Sequence, residues 1–524
     1  MKSDHADHDW EMVNARKYDK RGSGRLPLAM VALCVFAGCY ALFRVGLSLS
    51  IGSAINVNKE SKVKEQQLTD HEKHVLATVK RTQPQLQPQV QPRFDYNNMV
   101  TLSSLSAGDF INEAEAETEV PSTYPKLSPL RSLLSNWDQN ALGVFSPPPE
   151  PFVEELLTFD FQDEAEMEVA LKFREAEVPF KVRNIPGLRE EDIPSGAWTD
   201  EFLNAKFRQV DDQVDHAESS VSNTFFSALR GGGVVPSPGP RLGYTVEASR
   251  LGNFFLWYDP RKLRGKDPPQ VTSPKGMRTF REFWDHARKR DLNDGPNDEY
   301  DPNDIHYYAQ LGIGRFKSEK EEEEVRGRFG FILDRVPFFR STKGVDNFFV
   351  FNFEKNKGIQ CRIGERGVTA ADHYDSGRNM VAMLLGAKRY ILSPPSSCPD
   401  LGIEPSREDS SYRHSRLDFS MMEGMSSEGM LRGDEEKIKK LKRAGNAMSV
   451  ETVVKEGEVL YIPSFWFHYI TSLQSSFQCN SRSGTPSEED YEWKIHGGKK
   501  AIVDCLGHDP QPDHHHDTQN RDHQ

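Results

Sequence analysis

The chain has 524 residues, of which 36% are hydrophobic and 28% charged, with 32 Pro and 38 Gly. A fully packed globule of this size is more apolar, so a sizeable part is expected as linker or tail. Lys+Arg 66 against Asp+Glu 79 gives a net charge of -13, which suits a general nucleic-acid binder poorly. Six Cys with no C-x-x-C pair exclude a disulfide scaffold and speak against a structural zinc site.

Leu26 to Phe43 run without a charge, followed by Arg44 and the uncharged VGLSLSIG. At about 1.5 Å per residue such a helix is close to a bilayer core in length. A transmembrane signal-anchor over 26–51 is expected, the alternatives being a cleaved signal peptide ending near Gly52-Ser53-Ala54 or a buried core helix. Arg16, Lys17, Lys20, Arg21 and Arg25 precede the stretch, while Lys59, Lys62 and Lys64 follow it. The positive-inside rule then makes 1–25 a cytosolic tail and the rest lumenal, a single-pass type II layout in the ER or Golgi.

Residues 52–150 show no sustained period and include QPQLQPQVQP at 83–92 and SPPPEP at 146–151, which reads as a low-complexity, disordered stem. A lead-in over 151–174 precedes a domain over 175–484. Within that domain 180–188 looks like a strand ending in a turn at Pro186-Gly187, and 253–259 and 347–353 look like strands. Phe280, Phe283, Trp284 and Ala287 recur at helical spacing in 278–290. The acidic run 317–328 reads as a solvated helix face or loop. Residues 421–450 read as a surface insertion with one short helix, EEKIKKLKR. A C-terminal extension, 485–524, is expected to end in a disordered, passive His-rich tail from His508, the alternative being weak metal binding by its histidines. Cys361, Cys398, Cys479 and Cys505 can pair in three ways, or remain free thiols.

The chemistry concentrates in HYDSGRNMVAMLLGAKRYILSPP (373–395) and GEVLYIPSFWFHYI (457–470). His373 and Asp375 are two apart, so on a strand both side chains leave the same face. Two imidazoles and a carboxylate, with His468 as the third group, leave three coordination positions open, the arrangement of non-haem Fe(II) oxygenases. Alternation in AKRYILS turns Lys388 and Tyr390 to one face and Arg389 and Ile391 to the other.

These two strings resemble the JmjC-type 2-oxoglutarate oxygenases, in the branch containing the asparaginyl hydroxylase of hypoxia-inducible factor. The resemblance implies a mainly β fold, a double-stranded β-helix (jelly roll, cupin/JmjC) with flanking helices. It implies Fe(II) on His373, Asp375 and His468, with O2 and 2-oxoglutarate as cosubstrates. It puts Lys388 on the far carboxylate of 2-oxoglutarate, and Asn379, Tyr308 (with Gln310 in HYYAQ) and Asn480 around the cosubstrate. The family's Thr three residues before the first His is Ala370 here, so a one-residue bulge is needed for Thr369 to serve the pocket. A charged contact such as that of Lys388 is worth roughly 4 kcal/mol at an effective dielectric near 20, before desolvation. The leading expectation is a membrane-anchored lumenal dioxygenase that hydroxylates a side chain of a protein or peptide substrate, with no nucleic acid partner and homodimerisation left open. The rivals are a non-catalytic cupin-like binding module, a histone or protein demethylase, and a Golgi glycosyltransferase layout.

Overall fold

The structure, a computed structural model, describes residues 96, 99–103, 120–139, 146–188, 192, 198–210, 244–272, 279–292, 305–313, 319–339, 347–352, 355–425, 435–484 and 497–510. The described residues fall in one compact unit, 89–524. Among them no helix is long and apolar enough to cross a membrane. The apolar 26–51 segment lies outside them.

Eight strands carry the architecture: β1 (Asn356–Gly364), β2 (Thr369–Tyr374), β3 (Asn379–Leu385), β4 (Ala387–Ser393), β5 (Met448–Lys455), β6 (Val459–Ile462), β7 (Phe467–Ser472) and β8 (Ser476–Ser483). They divide between two antiparallel sheets, in the orders β6-β3-β8-β1 and β5-β4-β7-β2. This alternation between sheets is the double-stranded β-helix expected from the sequence. β3 passes to β4 through Gly386 alone, at φ +79°, where an added Cβ would lie 2.4 Å from the Ser475 carbonyl oxygen. Only glycine fits that corner.

The first sheet is extended beyond β6 by Phe180–Arg183 and Thr158–Asp160, and beyond β1 by Tyr307–Ile313, Tyr244–Ser249 and Gln270–Thr272. Helix Phe280–Leu292 forms where the apolar spacing put it, with Phe280, Phe283, Trp284 and Ala287 all buried. The acidic run lies at the start of a helix, Glu319–Leu333, and the insertion helix is Glu435–Ala444. Two disulfides form, Cys361–Cys479 across the β1–β8 pair and Cys398–Cys505 to helix Gly498–Leu506.

Three expectations need correction. The reading of 52–150 as unstructured fails in the described parts of its second half, because Leu130–Asn136 is a helix whose Leu130, Leu133 and Leu134 are buried. With Trp137 they follow i, i+3, i+4, i+7 spacing, and they cover the outer face of the second sheet at Arg389. Thr101–Ser103 also pairs in parallel with Phe152–Glu154. Residues 347–352 form no strand: the Asn347 side-chain oxygen accepts from the backbone N–H of Phe349 and Val350 (2.8 Å each), which competes with a ladder. Of 253–259 only Phe254–Phe255 pairs, alongside β2, before Asp259 caps a turn.

Trp137 ties the N-terminal segment to the barrel. Its ring lies 4.4 Å beneath the Arg389 guanidinium, its carbonyl accepts from Arg389 Nη1 (2.9 Å), and its Nε1 donates to the Ser146 carbonyl (3.2 Å). Trp137→Ala is expected to cost about 3–5 kcal/mol of stability, to be read from the midpoint of urea unfolding.

Candidate metal centre

β2 and β7 run antiparallel with His373 directly opposite His468. Their rings approach to 4.1 Å between centroids. Asp375 follows the last residue of β2, and its carbonyl accepts from the Phe465 backbone N–H at 2.8 Å, which fixes the corner. The three side chains offer ligand atoms that all lie within 4.8 Å of one another, with His468 Nε2 3.7 Å from Asp375 Oδ2. A cation with bonds of about 2.1 Å holds adjacent ligands about 3 Å apart, so a small inward movement closes the set.

Each imidazole is oriented by its own strand. His373 Nδ1 bonds the Ala371 carbonyl (2.8 Å) and His468 Nδ1 the Trp466 carbonyl (3.1 Å). Those bonds make Nδ1 the donor and leave Nε2 as a free lone pair, the usual support for a ligating His. Burial holds both rings below the ordinary histidine range, aided at His373 by His468 and His414. They are therefore neutral at neutral pH, the form in which an imidazole can ligate a cation. Burial works against the charge of Asp375, but Arg482 (Nη2 to Oδ2, 2.8 Å), His468, His373 and Arg413 together hold its carboxyl well below the usual range.

Lys388 lies on the same interior face. On β4, Leu392 is opposite His468, Tyr390 opposite Ile470 and Lys388 opposite Ser472. Four residues of strand put its Cα roughly 13 Å deeper than the His468 level. Lys388 is 1% exposed, and among the described residues no carboxylate pairs with it. Burial, then Arg362, push it down to about 7. An unpaired buried ammonium is costly, and a small diacid spanning from the metal position to Lys388 would supply the missing charge. The site thus fits both groups, a divalent cation above and a carboxylate below.

Tyr308, on Tyr307–Ile313 beside β1, puts its ring 5.6 Å from Lys388 Nζ, and burial pushes its phenol up to about 12. Asn480 on β8 donates to Asn379 Oδ1 on β3 at 3.0 Å, beside Arg482. Gln310 instead donates to Glu247 (2.8 Å).

Thr369 is not brought to the site. The bulge is present, three steps from Ala370 to His373 on β2 against two from Ile470 to His468 on β7. It has the opposite effect to the one required: Ala370 shares the face of His373, and Thr369 is turned out opposite Thr471. Its Oγ1 bonds the Gly367 carbonyl (3.1 Å) and Thr471 Oγ1 (3.2 Å). The chamber therefore has Ala370, and no hydroxyl, at that position.

Sequence reasoning passed over His414, Arg413 and Arg482. The loop between β4 and β5 lays the His414 ring over His373 (4.7 Å) and beneath Trp257 (5.1 Å), and its Nδ1 bonds the Tyr412 carbonyl (2.9 Å). Burial, then Arg413, hold His414 to about 3, so it stays neutral. SSYRHSR (410–416) carries no local signal for this, because its contact with β2 is long-range.

A family model described as "Cupin-like domain" matches residues 198–482, more than half of the chain. Among curated proteins, the chain is 28% identical over 126 residues to JmjC domain-containing protein D of Dictyostelium discoideum, covering 24% of this chain and 25% of that protein. It is 25% identical over 329 residues to HSPB1-associated protein 1 of Rattus norvegicus, covering 62% and 53%. It is 25% identical over 145 residues to Lysine-specific demethylase JMJ30 of Arabidopsis thaliana, covering 28% and 30%. The matches thus span between a quarter and about half of those relatives' own lengths. With the family match and the jelly-roll order of its strands, the chain belongs to the cupin-like domain family, among relatives named for the JmjC domain.

Proposed function

We propose that this protein is an Fe(II)- and 2-oxoglutarate-dependent dioxygenase that hydroxylates a side chain of a protein or peptide substrate. The observation that carries the reading is the pairing of a His373–Asp375–His468 ligand set with a lone buried ammonium, Lys388, deeper on the same interior face. Iron(II) held by the three residues would couple oxidative decarboxylation of 2-oxoglutarate, with O2, to insertion of one oxygen atom into a substrate C–H bond. The chain's own part is positional. Nδ1 bonds to the Ala371 and Trp466 carbonyls keep both imidazoles aimed and neutral. Lys388 holds the far end of the cosubstrate, with the Tyr308 ring against it, and so fixes which end faces the metal position. Trp257 and His414 wall one side of His373. That side is where the acceptor residue would be presented.

Two disulfides support an oxidising compartment, and hence the lumenal placement that the 26–51 segment suggests. They make a chromatin substrate less apt, although a C–H next to nitrogen in a lysine-specific demethylase asks the same chemistry of the metal. The likeness to the asparaginyl hydroxylase branch rests on the two strings alone. Ala370 in the place of a hydroxyl favours the second reading, a cupin-like module that binds without turnover.

Full-length protein supplied with Fe(II), 2-oxoglutarate and air is expected to form succinate, and Asp375→Ala to form none above background. Succinate measured by NMR, together with a gain of one oxygen in peptide pools by mass spectrometry, checks this. No succinate from folded wild-type protein would leave the binding module in possession.

Lys388 also sets a pH dependence. In the empty chamber it loses its proton as pH rises through about 7, while a bound carboxylate favours the protonated form. Affinity for 2-oxoglutarate is therefore expected to be flat below pH 7 and to fall about tenfold per pH unit above it. Lys388→Ala should bind weakly with a flat profile, as read by calorimetry across pH 6 to pH 9.

A further inference from the structure

On β1, Gly364 and Arg362 are two apart and share a face. A Cβ built on Gly364 would meet Ser472 Oγ at 2.5 Å and Tyr308 Cε2 at 3.5 Å. That face therefore looks onto Tyr308 and onto Ser472, the residue opposite Lys388. The other face of β1 sends Ile359, Cys361 and Ile363 into the apolar core. Arg362 is half-buried, and its Nη1 donates to its neighbour's carbonyl at Cys361 (3.0 Å), which holds the guanidinium against the strand. After burial, Tyr308 is the group that acts on it most strongly, and Arg362 is the group that acts on Lys388 after burial. Two cations and a phenol thus share one chamber. Among the described residues neither cation forms an ion pair, and the Glu247 carboxylate that faces Arg362 is engaged by Gln310 at 2.8 Å.

We infer that Arg362 is a second anchor for the far carboxylate of 2-oxoglutarate, sharing it with Lys388 and selecting 2-oxo acids whose far end is anionic. The inference rests on the oxygenase reading and deepens it. A carboxylate has two oxygens, and a point charge on one side with a planar fork on the other can engage both. One added carboxylate also relieves the repulsion between two neighbouring cations, which a single-lysine pocket would not need.

The test uses the full-length chain, anaerobic and loaded with Fe(II), titrated with 2-oxoglutarate and separately with 2-oxobutyrate, which lacks the far carboxylate. Binding is read from the metal-to-ligand charge-transfer band. Arg362→Gln is expected to weaken 2-oxoglutarate by about tenfold or more and to leave 2-oxobutyrate and Fe(II) affinities unchanged. Arg362→Lys should restore part of the loss. An unchanged 2-oxoglutarate affinity in Arg362→Gln, or an equal loss for both acids, overturns the assignment while the oxygenase reading stands. Absence of the band in the wild-type protein with both acids overturns the reading, and this assignment with it.

Discussion

The pairing of His373 with His468 across β2 and β7 is the constraint from which the rest of the site follows. Side chains alternate along a strand, so a slip of one residue would turn one imidazole into the chamber and the other out of it. The bulge between Ala370 and His373 sets that register. It brings His373 inward with Ala370, and it sends Thr369 to the outer face against Thr471. β4 extends the same register, with Leu392 at the His468 level and Tyr390 and Lys388 at successive depths below it. The metal position and the buried ammonium are two consequences of one strand alignment.

Charge inside the barrel contrasts with the chain as a whole. The protein carries a net charge of -13, yet cations gather around the site: Arg362 acts on Lys388, Arg482 on Arg362 and Arg413, and Arg482 and Arg413 on Asp375. Under the proposed function the site would receive anions next to a dication, which calls for such an excess, whereas a purely structural core does not. The disulfides make the frame for it. Cys361–Cys479 joins β1 to β8, the strands that carry Arg362 and Arg482, and Cys398–Cys505 ties down the start of the loop that delivers Arg413 and His414.

Much of this was legible in the sequence where the signal is local. The H-Y-D string, the spacing in AKRYILS and the Trp-Phe-His end of 457–470 announce strands with defined faces, and helix Phe280–Leu292 follows from its apolar period. What escaped is long-range or contrary to composition. The helix at Leu130 has a clear apolar stripe, but the Pro-rich string at 146–151 pointed to a stem. At Asn347 a side chain outcompetes the ladder that NFFVFNF would otherwise form. The bulge could be conceived from sequence, but its parity could not, since that depends on the partner strand. His414 reaches His373 only through a loop closure that no local pattern encodes, and the choice among three cysteine pairings is settled by strand neighbours.

We propose that His373, Asp375 and His468 bind one divalent iron. Anaerobic equilibrium dialysis of the full-length protein against Fe(II), followed by metal analysis, tests it most directly, with His468→Ala and Asp375→Ala run in parallel and their circular dichroism checked against the wild type. One iron retained per wild-type chain, and a marked loss in both folded variants, is the predicted result. Iron absent from the wild type, or retained equally by the variants, would mean that these three residues hold no iron.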